Sequence, residues 1–243
     1  MTKKILITGA NGQLGHEMRN ALKGNNRFEC IFTDVAELDI CNAEAVKQII
    51  ADNHIDYIVN CAAYTQVDKA EDNAELCKKI NTDAVENLAR AAADYGARMI
   101  HISTDYVFNG RGYSPYTEDM PPDPQSVYGS TKLEGEKILT DICPESIIIR
   151  TAWLYSPYGN NFVKTMLHLG EEREELSVVA DQIGTPTCAA DLAQAILVIL
   201  QADTFVPGTY HFSDEGVCSW YDFTVTIHRL AGITTCRVTP IRS

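Results

Sequence analysis

The sequence has few features of a disulfide-bonded or metal-stabilised protein. Its eight cysteines are scattered along 243 residues, and no two of them form a Cys-x-x-Cys pair. This pattern favours reduced, mostly buried thiols in a cytoplasm over a disulfide framework or a zinc site. The six histidines show no ligand spacing either, so no metal site is predicted.

Positive charge and long apolar runs are also scarce. Lys and Arg number 20 against 33 Asp and Glu, which gives a formal net charge of -13. Nucleic acids and anionic membranes bind basic surfaces, so this charge argues against both as partners. No apolar run approaches the roughly 20 residues of a membrane span. We expect a cytoplasmic enzyme with one large α/β domain, or a large domain with a small appendage.

Glycines follow directly after the first apolar run. Residues 4–8 are typical of a buried parallel strand, and Gly9, Gly12 and Gly15 come next with the spacing Gly-x-x-Gly-x-x-Gly. Such glycines permit a tight turn, close approach of the backbone to a pyrophosphate and close packing of the following helix. An ordinary glycine-rich turn is the alternative. Its place between a strand and a helix favours nucleotide binding.

Strands and helices alternate along the first part of the chain. We predict strands at 28–34, 57–61, 99–103 and 146–150, and helices at 43–53, 74–95 and 127–141. The alternation predicts an α/β fold, a Rossmann-type doubly wound parallel sheet with helices on both faces. Ligands of such sheets bind beyond the carboxyl ends of the strands. From about Phe162 we expect one short strand, several helices and a smaller C-terminal substrate lobe.

Two aspartates lie after the second predicted strand. Asp34 ends that strand, where a carboxylate can accept hydrogen bonds from an adenosine ribose and would repel a 2′-phosphate. It therefore favours NADH over NADPH, unless it is a turn or capping residue. Asp39 is placed to reach the adenine amino group or to cap the next helix. At the end of the third strand, Cys61 is interpreted as a packing residue beside small Ala62 and Ala63.

Tyr128 and Lys132 occupy helix positions i and i+4, which share one face. A free tyrosine has a pKa of roughly 10, and a neighbouring ammonium is expected to pull it toward neutrality. The phenol could then exchange a proton with a substrate. Thr104 comes directly after the strand predicted at 99–103, and its hydroxyl could donate a hydrogen bond to an oxyanion formed there. Many surface helices carry Tyr-x-x-x-Lys by chance, so the pair matters only together with the glycine turn and Ser103-Thr104.

These motifs together resemble the extended short-chain dehydrogenase/reductase superfamily, and in particular the dTDP-4-dehydrorhamnose reductase family. The finer matches lie at residues 12–15, 62–71, 103–110, 128–136, 150–155, 181–187 and 219–223. Two departures are modest, with Cys61 in place of the usual alanine and Asn109 in place of a frequent aspartate. Family members also continue beyond the position of Ser243, so the C-terminus is expected to be either naturally short or truncated.

The resemblance implies reduction of the C4 ketone of dTDP-4-dehydro-L-rhamnose to dTDP-L-rhamnose by NADPH or NADH, with Thr104, Tyr128 and Lys132 as catalytic residues. The cofactor contacts that we expect are Gly9, Asn11, Gly12, Gln13, Leu14, Asp34, Asp39, Ala62, Ala63, Tyr64, Tyr128 and Lys132. The substrate contacts that we expect are Val67, Thr104, Asp105, Tyr106, Trp153, Asn161 and Gln182. Residues 1–155 would form the dinucleotide-binding domain and 156–243 mainly the substrate lobe, with segments returning to the core.

Several alternatives stay open at this stage. Asn81 either carries a proton-relay water or is an exposed helix asparagine, and Trp153 either packs on the sugar or anchors the core. Tyr106 stands where related dehydratases place a second acid, so dehydration is disfavoured. Another nucleotide-sugar reductase or epimerase, and a noncatalytic regulatory subunit on the same fold, are the rival functions. We expect a dTDP-sugar as partner and regard a homodimer as an assembly to test.

Overall fold

A computed structural model describes residues 2–243 of the chain. Its strands are β1 (Lys3–Thr8), β2 (Phe28–Phe32), β3 (Tyr57–Asn60), β4 (Arg98–Thr104), β5 (Ile147–Thr151), β6 (Leu154–Tyr155), β7 (Glu175–Val179), β8 (Ile183–Gly184), β9 (Thr187–Cys188), β10 (Gly208–His211), β11 (Cys218–Ser219) and β12 (Arg237–Ile241). Its α-helices are α1 (Gln13–Ala21), α2 (Ala43–Asn53), α3 (Val67–Asp72), α4 (Ala74–Lys78), α5 (Ala84–Tyr95), α6 (Val127–Ile142), α7 (Phe162–Glu172), α8 (Ala189–Gln201) and α9 (Trp220–Ala231).

The main sheet has six strands in the order β10-β5-β4-β3-β1-β2, and each neighbouring pair is parallel. Side chains along a strand alternate between two layers of helices. Ile5 and Ile7 pack with α1 and α8 on one face, whereas Leu6 packs with α2, α5 and α6 on the other. The predicted α/β class and the doubly wound parallel sheet are therefore confirmed.

The helix predicted at 74–95 is interrupted. Between α4 and α5 the backbone makes a π-helical turn, Lys79–Asp83, and a separate helix α3 precedes α4 where a loop was expected. The turn is held from α6, because the Thr82 hydroxyl donates to the Thr131 carbonyl at 3.0 Å and Gly135 lets the Asn81 carbonyl approach. A π turn adds a residue to the helical repeat and re-aims the side chains around it.

The second half contains more strands than expected. Helices α7, α8 and α9 are present, but β10 joins the main sheet, β7 pairs with β12, and two-residue strands pair as β6 with β9 and β8 with β11. The prediction of a single short strand is wrong. Two-residue strands are too short to show a period of two, and β7 and β12 find each other only in the folded chain.

A second hydrophobic cluster forms between α7, α9, β7 and β12. Met166, Leu176 and Ile227 are buried there, with Trp220 and Phe223 packed against them. In contrast, α8 packs on α1 and buries Leu192 in the layer beneath the main sheet. The C-terminal part thus contributes both to the sheet core and to a smaller cluster beside it.

Two general properties follow from the described residues. None of the helices among residues 2–243 is both long enough and apolar enough to cross a bilayer. All eight cysteines, which lie within this range, are free thiols.

Candidate active site

A cleft of about 530 Å³ lies beyond the carboxyl ends of β1 and β3, where the direction of chain progression across the sheet reverses. This is where open parallel sheets bind their ligands. The predicted residues that line it are Gly9, Asn11, Gly12, Asp34, Asp39, Ala62 and Ala63. Lining residues that sequence reasoning missed are Val35, Leu38, Ile40, Cys41, Leu76, Lys79 and Ile80.

The glycine turn forms one wall of this cleft. Gly9 has φ +62°, and a Cβ there would lie 2.7 Å from the Ala62 nitrogen. A Cβ on Gly15 would collide with the Gly9 carbonyl and with the Ala10 Cα. Gly12 is the N-cap of α1 and has no side chain with which to cap the helix. The first N–H groups of α1 are therefore left for a ligand, which is the arrangement that suits a phosphate.

The two aspartates after β2 hold the turn and line the cleft. Asp34 accepts hydrogen bonds from the backbone N–H of Asn11 at 2.9 Å and of Val35 at 2.8 Å, so it connects the end of β2 to the glycine turn. Asp39 accepts from the Cys41 N–H at 2.9 Å. The capping alternative for Asp39 is wrong, because the side chain of Asn42 caps α2.

Some predicted cofactor contacts also have structural roles. The Leu14 side chain is buried in the core, so only its backbone N–H is available to a ligand. The Gln13 side-chain Oε1 accepts a hydrogen bond from the Asn161 side-chain amide at 2.9 Å, which joins α1 to the start of α7. The Tyr64 backbone is held on both sides by the Asn81 amide, at 2.9 and 3.1 Å. Asn81 is buried, which overturns its interpretation as an exposed helix asparagine.

The predicted catalytic residues meet beside the cleft. Thr104 ends β4, while Tyr128 and Lys132 come from the first turns of α6, whose N-terminus is capped by Ser126. Close packing of Gly129 against the Tyr106 carbonyl brings this end of α6 to the strand end. The Thr104 side chain lies close enough to the Tyr128 phenol to affect its pKa. The structure thus places the hydroxyl and the phenol near each other.

The prediction that Lys132 lowers the pKa of the Tyr128 phenol is wrong. Burial raises the pKa of the Tyr128 phenol well above its usual value, and the nearby Thr104 side chain only partly opposes this. The Lys132 amine instead donates to the Ile102 carbonyl at 2.6 Å. Burial lowers the pKa of Lys132 to about 8, although the negative charge of Glu136 acts against the shift. The phenol therefore keeps its proton at neutral pH and is a proton donor.

Three of the predicted substrate contacts lie near Tyr128 and Thr104. Val67 packs against Tyr128 and Tyr64 in a small apolar cluster. Tyr106 is 42% exposed, and its ring meets the Tyr128 ring edge-on with centroids 5.5 Å apart. Asp105 follows Thr104, and its carboxylate accepts a hydrogen bond from the Thr104 hydroxyl at 3.1 Å. These residues form a continuous wall next to the phenol.

Three more distant candidates belong to the C-terminal part. Trp153 stacks on Trp220 with ring centroids 3.4 Å apart, so at least one face of its ring serves as a core anchor. The Asn161 side chain caps α7 by accepting from the Lys164 N–H, and its amide donates to Gln13. Gln182 is exposed beside β8. Among the described residues, none of these three belongs to the apolar cluster around Tyr128 or stacks on its ring.

Cys61 lines the cleft, but its chemistry is that of a packing residue. Burial raises the pKa of its thiol to about 12, so the thiol remains protonated and weakly nucleophilic. Its side chain packs against the cluster that contains Ile5 and Val59.

Comparison with known proteins identifies the family. A family model described as the RmlD substrate binding domain matches residues 3–243. The chain belongs to the RmlD substrate binding domain family. One family relative, the dTDP-4-dehydrorhamnose reductase of Aggregatibacter actinomycetemcomitans, is 44% identical over 92% of this chain and 78% of its own length.

Solved structures give the same result. A dTDP-4-dehydrorhamnose reductase from Clostridium acetobutylicum has a TM-score of 0.95 and 51% identity, covering 99% of this chain and 84% of that one. A dTDP-4-dehydrorhamnose reductase from Bacillus anthracis in complex with NADP has a TM-score of 0.95 and 42% identity, covering 100% of this chain and 85% of that one. The family resemblance seen in the sequence motifs is confirmed.

Proposed function

We propose that this chain is an NAD(P)H-dependent oxidoreductase that reduces the C4 ketone of dTDP-4-dehydro-L-rhamnose to dTDP-L-rhamnose in rhamnose biosynthesis. The observation that carries the proposal is that Thr104, at the carboxyl end of β4, lies near the buried Tyr128 of α6, at the same edge of the parallel sheet as the glycine turn. Relatives that carry the name of this reductase cover nearly the whole chain. A noncatalytic subunit has no need of an intact hydroxyl, phenol and amine at these positions.

The residues present fit a nicotinamide dinucleotide. The backbone from Gly9 to Leu14 would bind the pyrophosphate, because a side chain on Gly9 or Gly15 would fill the space that the turn needs. Asp34 would accept from the adenosine ribose, and Asp39 would reach the adenine. Ala62, Ala63 and Tyr64 would line the path toward the nicotinamide, whose ribose Lys132 would hold. When bound, the reduced nicotinamide supplies the hydride.

Residues of the chain supply the proton to the ketone oxygen and stabilise the negative charge that develops on it. As negative charge develops on the ketone oxygen, Tyr128 donates its proton to that oxygen. The raised pKa of the buried phenol keeps this proton in place until the substrate oxygen becomes basic. The Thr104 hydroxyl donates a hydrogen bond to the same oxygen and stabilises the charge. Burial of both groups strengthens these interactions, since competing water is removed.

Asp34 supports a preference for NADH. Its carboxylate lines the cleft and is held by two backbone N–H groups, so it cannot easily turn away from a 2′-phosphate. The Asp34→Asn variant keeps an acceptor for the Asn11 N–H but removes the charge. We expect it to tighten NADPH binding relative to NADH by about tenfold, since tenfold corresponds to about 1.4 kcal/mol of repulsion. Equal effects on both cofactors would remove Asp34 from the selection.

We also propose that different parts of the chain bind the cofactor and the substrate. Residues 1–155 carry the cofactor site and the catalytic residues, and α8 and β10 complete the sheet layers. The cluster formed by α7, α9, β7 and β12 would provide the substrate lobe. Trp153, Asn161 and Gln182 lie near or within this part, whereas Val67, Asp105 and Tyr106 lie near Thr104 and Tyr128.

The test is an assay of the purified chain with dTDP-4-dehydro-L-rhamnose beside other 4-keto nucleotide sugars, with NADH and NADPH in parallel. We expect cofactor oxidation to be fastest with dTDP-4-dehydro-L-rhamnose and the product to be dTDP-L-rhamnose. Faster turnover of another sugar would mean that this other sugar, and not dTDP-4-dehydro-L-rhamnose, is the substrate. No oxidation with any sugar would favour the regulatory alternative.

A further inference from the structure

Lys79 is the one basic residue among residues 2–243 that lines the cleft. Two carboxylates, those of Asp34 and Asp39, line the same cleft. A nicotinamide dinucleotide adds the negative charges of its pyrophosphate, and the chain itself has a net charge of -13. Lys79 is therefore the lining side chain that can offset this negative charge.

Lys79 lies at the end of the cleft where Asp39 lies. It is the first residue of the π turn, and its carbonyl accepts a hydrogen bond from the Cys41 thiol at 3.8 Å. The Asp39 carboxylate accepts from the Cys41 N–H at 2.9 Å. Burial and the charge of Asp39 raise the pKa of the Cys41 thiol, whereas the charge of Lys79 lowers it. The π turn thus places the Lys79 charge next to the segment that follows β2, which is the segment proposed to bind the adenosine.

The Lys79 ammonium is available to a ligand. No ion pair within the described part of the chain includes it, whereas the neighbouring Lys78 pairs with Glu134 at 3.1 Å. Lys79 is exposed, and the flexible four-carbon stem of a lysine lets its ammonium turn toward a group bound in the cleft.

A 2′-phosphate on the adenosine ribose is the group that needs such a cation. A phosphate monoester carries about -1.5 to -2 charges at pH 7, so the Asp34 carboxylate beside the ribose would repel it. The Glu37 carboxylate accepts from the Asp34 N–H at 2.9 Å and adds a further negative charge nearby. An ammonium binds phosphate as a point charge and needs no fixed bidentate geometry.

We propose that Lys79 is a specificity-determining residue whose ammonium binds the 2′-phosphate of NADP(H) and offsets the repulsion by Asp34. The two residues act in opposite directions on the choice of cofactor, since Asp34 favours NADH and Lys79 favours NADPH. This inference rests on the proposed function only in that the cleft binds a nicotinamide dinucleotide. It does not depend on which sugar is reduced.

The first test measures binding of NAD⁺ and NADP⁺ to the whole chain by calorimetry, without sugar and without turnover. The two probes differ only in the 2′-phosphate. Lys79→Met keeps a long apolar stem and loses the charge, so we expect it to weaken NADP⁺ binding about fivefold relative to NAD⁺ binding. Lys79→Arg should keep the ratio of the parent. The matched control is Lys78→Met, which removes the adjacent charge outside the cleft and should also keep that ratio.

The possible results separate this proposal from the proposed function. An unchanged ratio in Lys79→Met, or a parent that binds NAD⁺ alone, would overturn the role of Lys79 and leave the reductase activity standing. A parent that binds neither probe would contradict both.

The second test separates direct binding of the phosphate from an effect through Asp34. Lys79→Met is combined with Asp34→Asn, and direct binding predicts a loss of similar size in both backgrounds. A loss that disappears when position 34 is uncharged would show that Lys79 acts only through Asp34, and would overturn the phosphate assignment. Raising KCl from about 0.05 to about 0.5 M should also weaken NADP⁺ binding more in the parent than in Lys79→Met, because salt screens exposed charges. Equal salt dependence in the two proteins would contradict the proposal.

Discussion

The Thr104 hydroxyl donates a hydrogen bond to the carboxylate of Asp105, 3.1 Å away. Burial raises the pKa of Asp105 from 3.8 to about 6, and the hydrogen bond from Thr104 lowers it by less than burial raises it. While Asp105 is ionised, the proton of Thr104 points to this carboxylate. A substrate oxyanion must therefore compete with Asp105 for the Thr104 proton.

The raised pKa of Asp105 makes stability depend on pH. The folded chain binds this proton more tightly than the unfolded chain, so stability falls as the pH rises from about 4 to about 6 and stays lower above that. Asp105→Asn removes the charge. We expect the variant to be more stable than the parent by about 1–3 kcal/mol at pH 7.5 and equal to it at pH 4, measured by urea unfolding. The control Asp94→Asn replaces an exposed carboxyl and should change stability at pH 7.5 by no more than about 0.5 kcal/mol. Equal curves for Asp105→Asn and the parent at pH 7.5 would contradict the assignment.

Removing the phenol oxygen of Tyr128 should abolish proton donation with little effect on packing. We expect Tyr128→Phe to lower kcat by at least about a hundredfold, in line with the loss of a general acid. Cofactor affinity, measured by fluorescence titration, should change little. Tyr95→Phe, at the exposed end of α5, is the matched control and should retain full activity. Unchanged turnover in Tyr128→Phe would remove the phenol from the mechanism.

Two glycines of the turn should respond differently to alanine. A Cβ on Gly15 would lie 2.5 Å from the Ala10 Cα and would also collide with the Gly9 carbonyl, so backbone must move. We expect Gly15→Ala to cost about 1–3 kcal/mol in the free energy of unfolding. A Cβ on Gly12 meets its nearest neighbour at 3.2 Å, so Gly12→Ala should cost less stability and mainly weaken cofactor binding. Thermal unfolding and cofactor titration of both variants check this, and the reverse order would contradict the assigned roles.

The ion pair of Arg150 and Glu136 is buried, with an N–O distance of 2.7 Å. Glu136→Gln leaves the Arg150 charge buried without its partner, so we expect a loss of about 3–5 kcal/mol in the free energy of unfolding. The exposed pair of Arg90 and Glu86 on α5 is the control. Glu86→Gln should cost no more than about 0.5 kcal/mol in the same denaturation experiment. Similar losses in both variants would show that burial does not increase the cost of breaking the pair of Arg150 and Glu136.

Much of the fold could be predicted because its signals are local. The helix at 43–53 was predicted with its observed bounds, since buried Val46 and Ile50 lie on one face, but its cap is Asn42 and not Asp39. Strands β1 to β5 of the main sheet are short apolar runs, and their predicted ends lie within a few residues of the observed ones, whereas β10 was not predicted. The pairing of β7 with β12 could not be predicted in this way, because it joins segments that are distant in sequence.

The sequence predicted where the residues of the candidate site lie better than it predicted their pKa values. Helical spacing correctly indicated that Tyr128 and Lys132 share one face of α6, and both are buried there. The dominant effect of burial on the phenol depends on the packing of Thr104, Asp105 and Tyr106 around it. Likewise, the burial of Asn81 follows from the π turn, which interrupts a sequence that otherwise has the pattern of one continuous helix. These features depend on tertiary packing, which spacing along the chain does not encode.

The central claim is that hydride passes from the nicotinamide to C4 of the sugar while Tyr128 supplies the proton to its oxygen. The most direct measurement uses NADPH or NADH that is monodeuterated at C4 of the nicotinamide, with dTDP-4-dehydro-L-rhamnose as substrate and NMR of the product. We predict that one of the two deuterated stereoisomers gives dTDP-L-rhamnose with deuterium at C4 of the sugar. A product whose C4 hydrogen comes from solvent, or no reduction with either cofactor, would contradict this account.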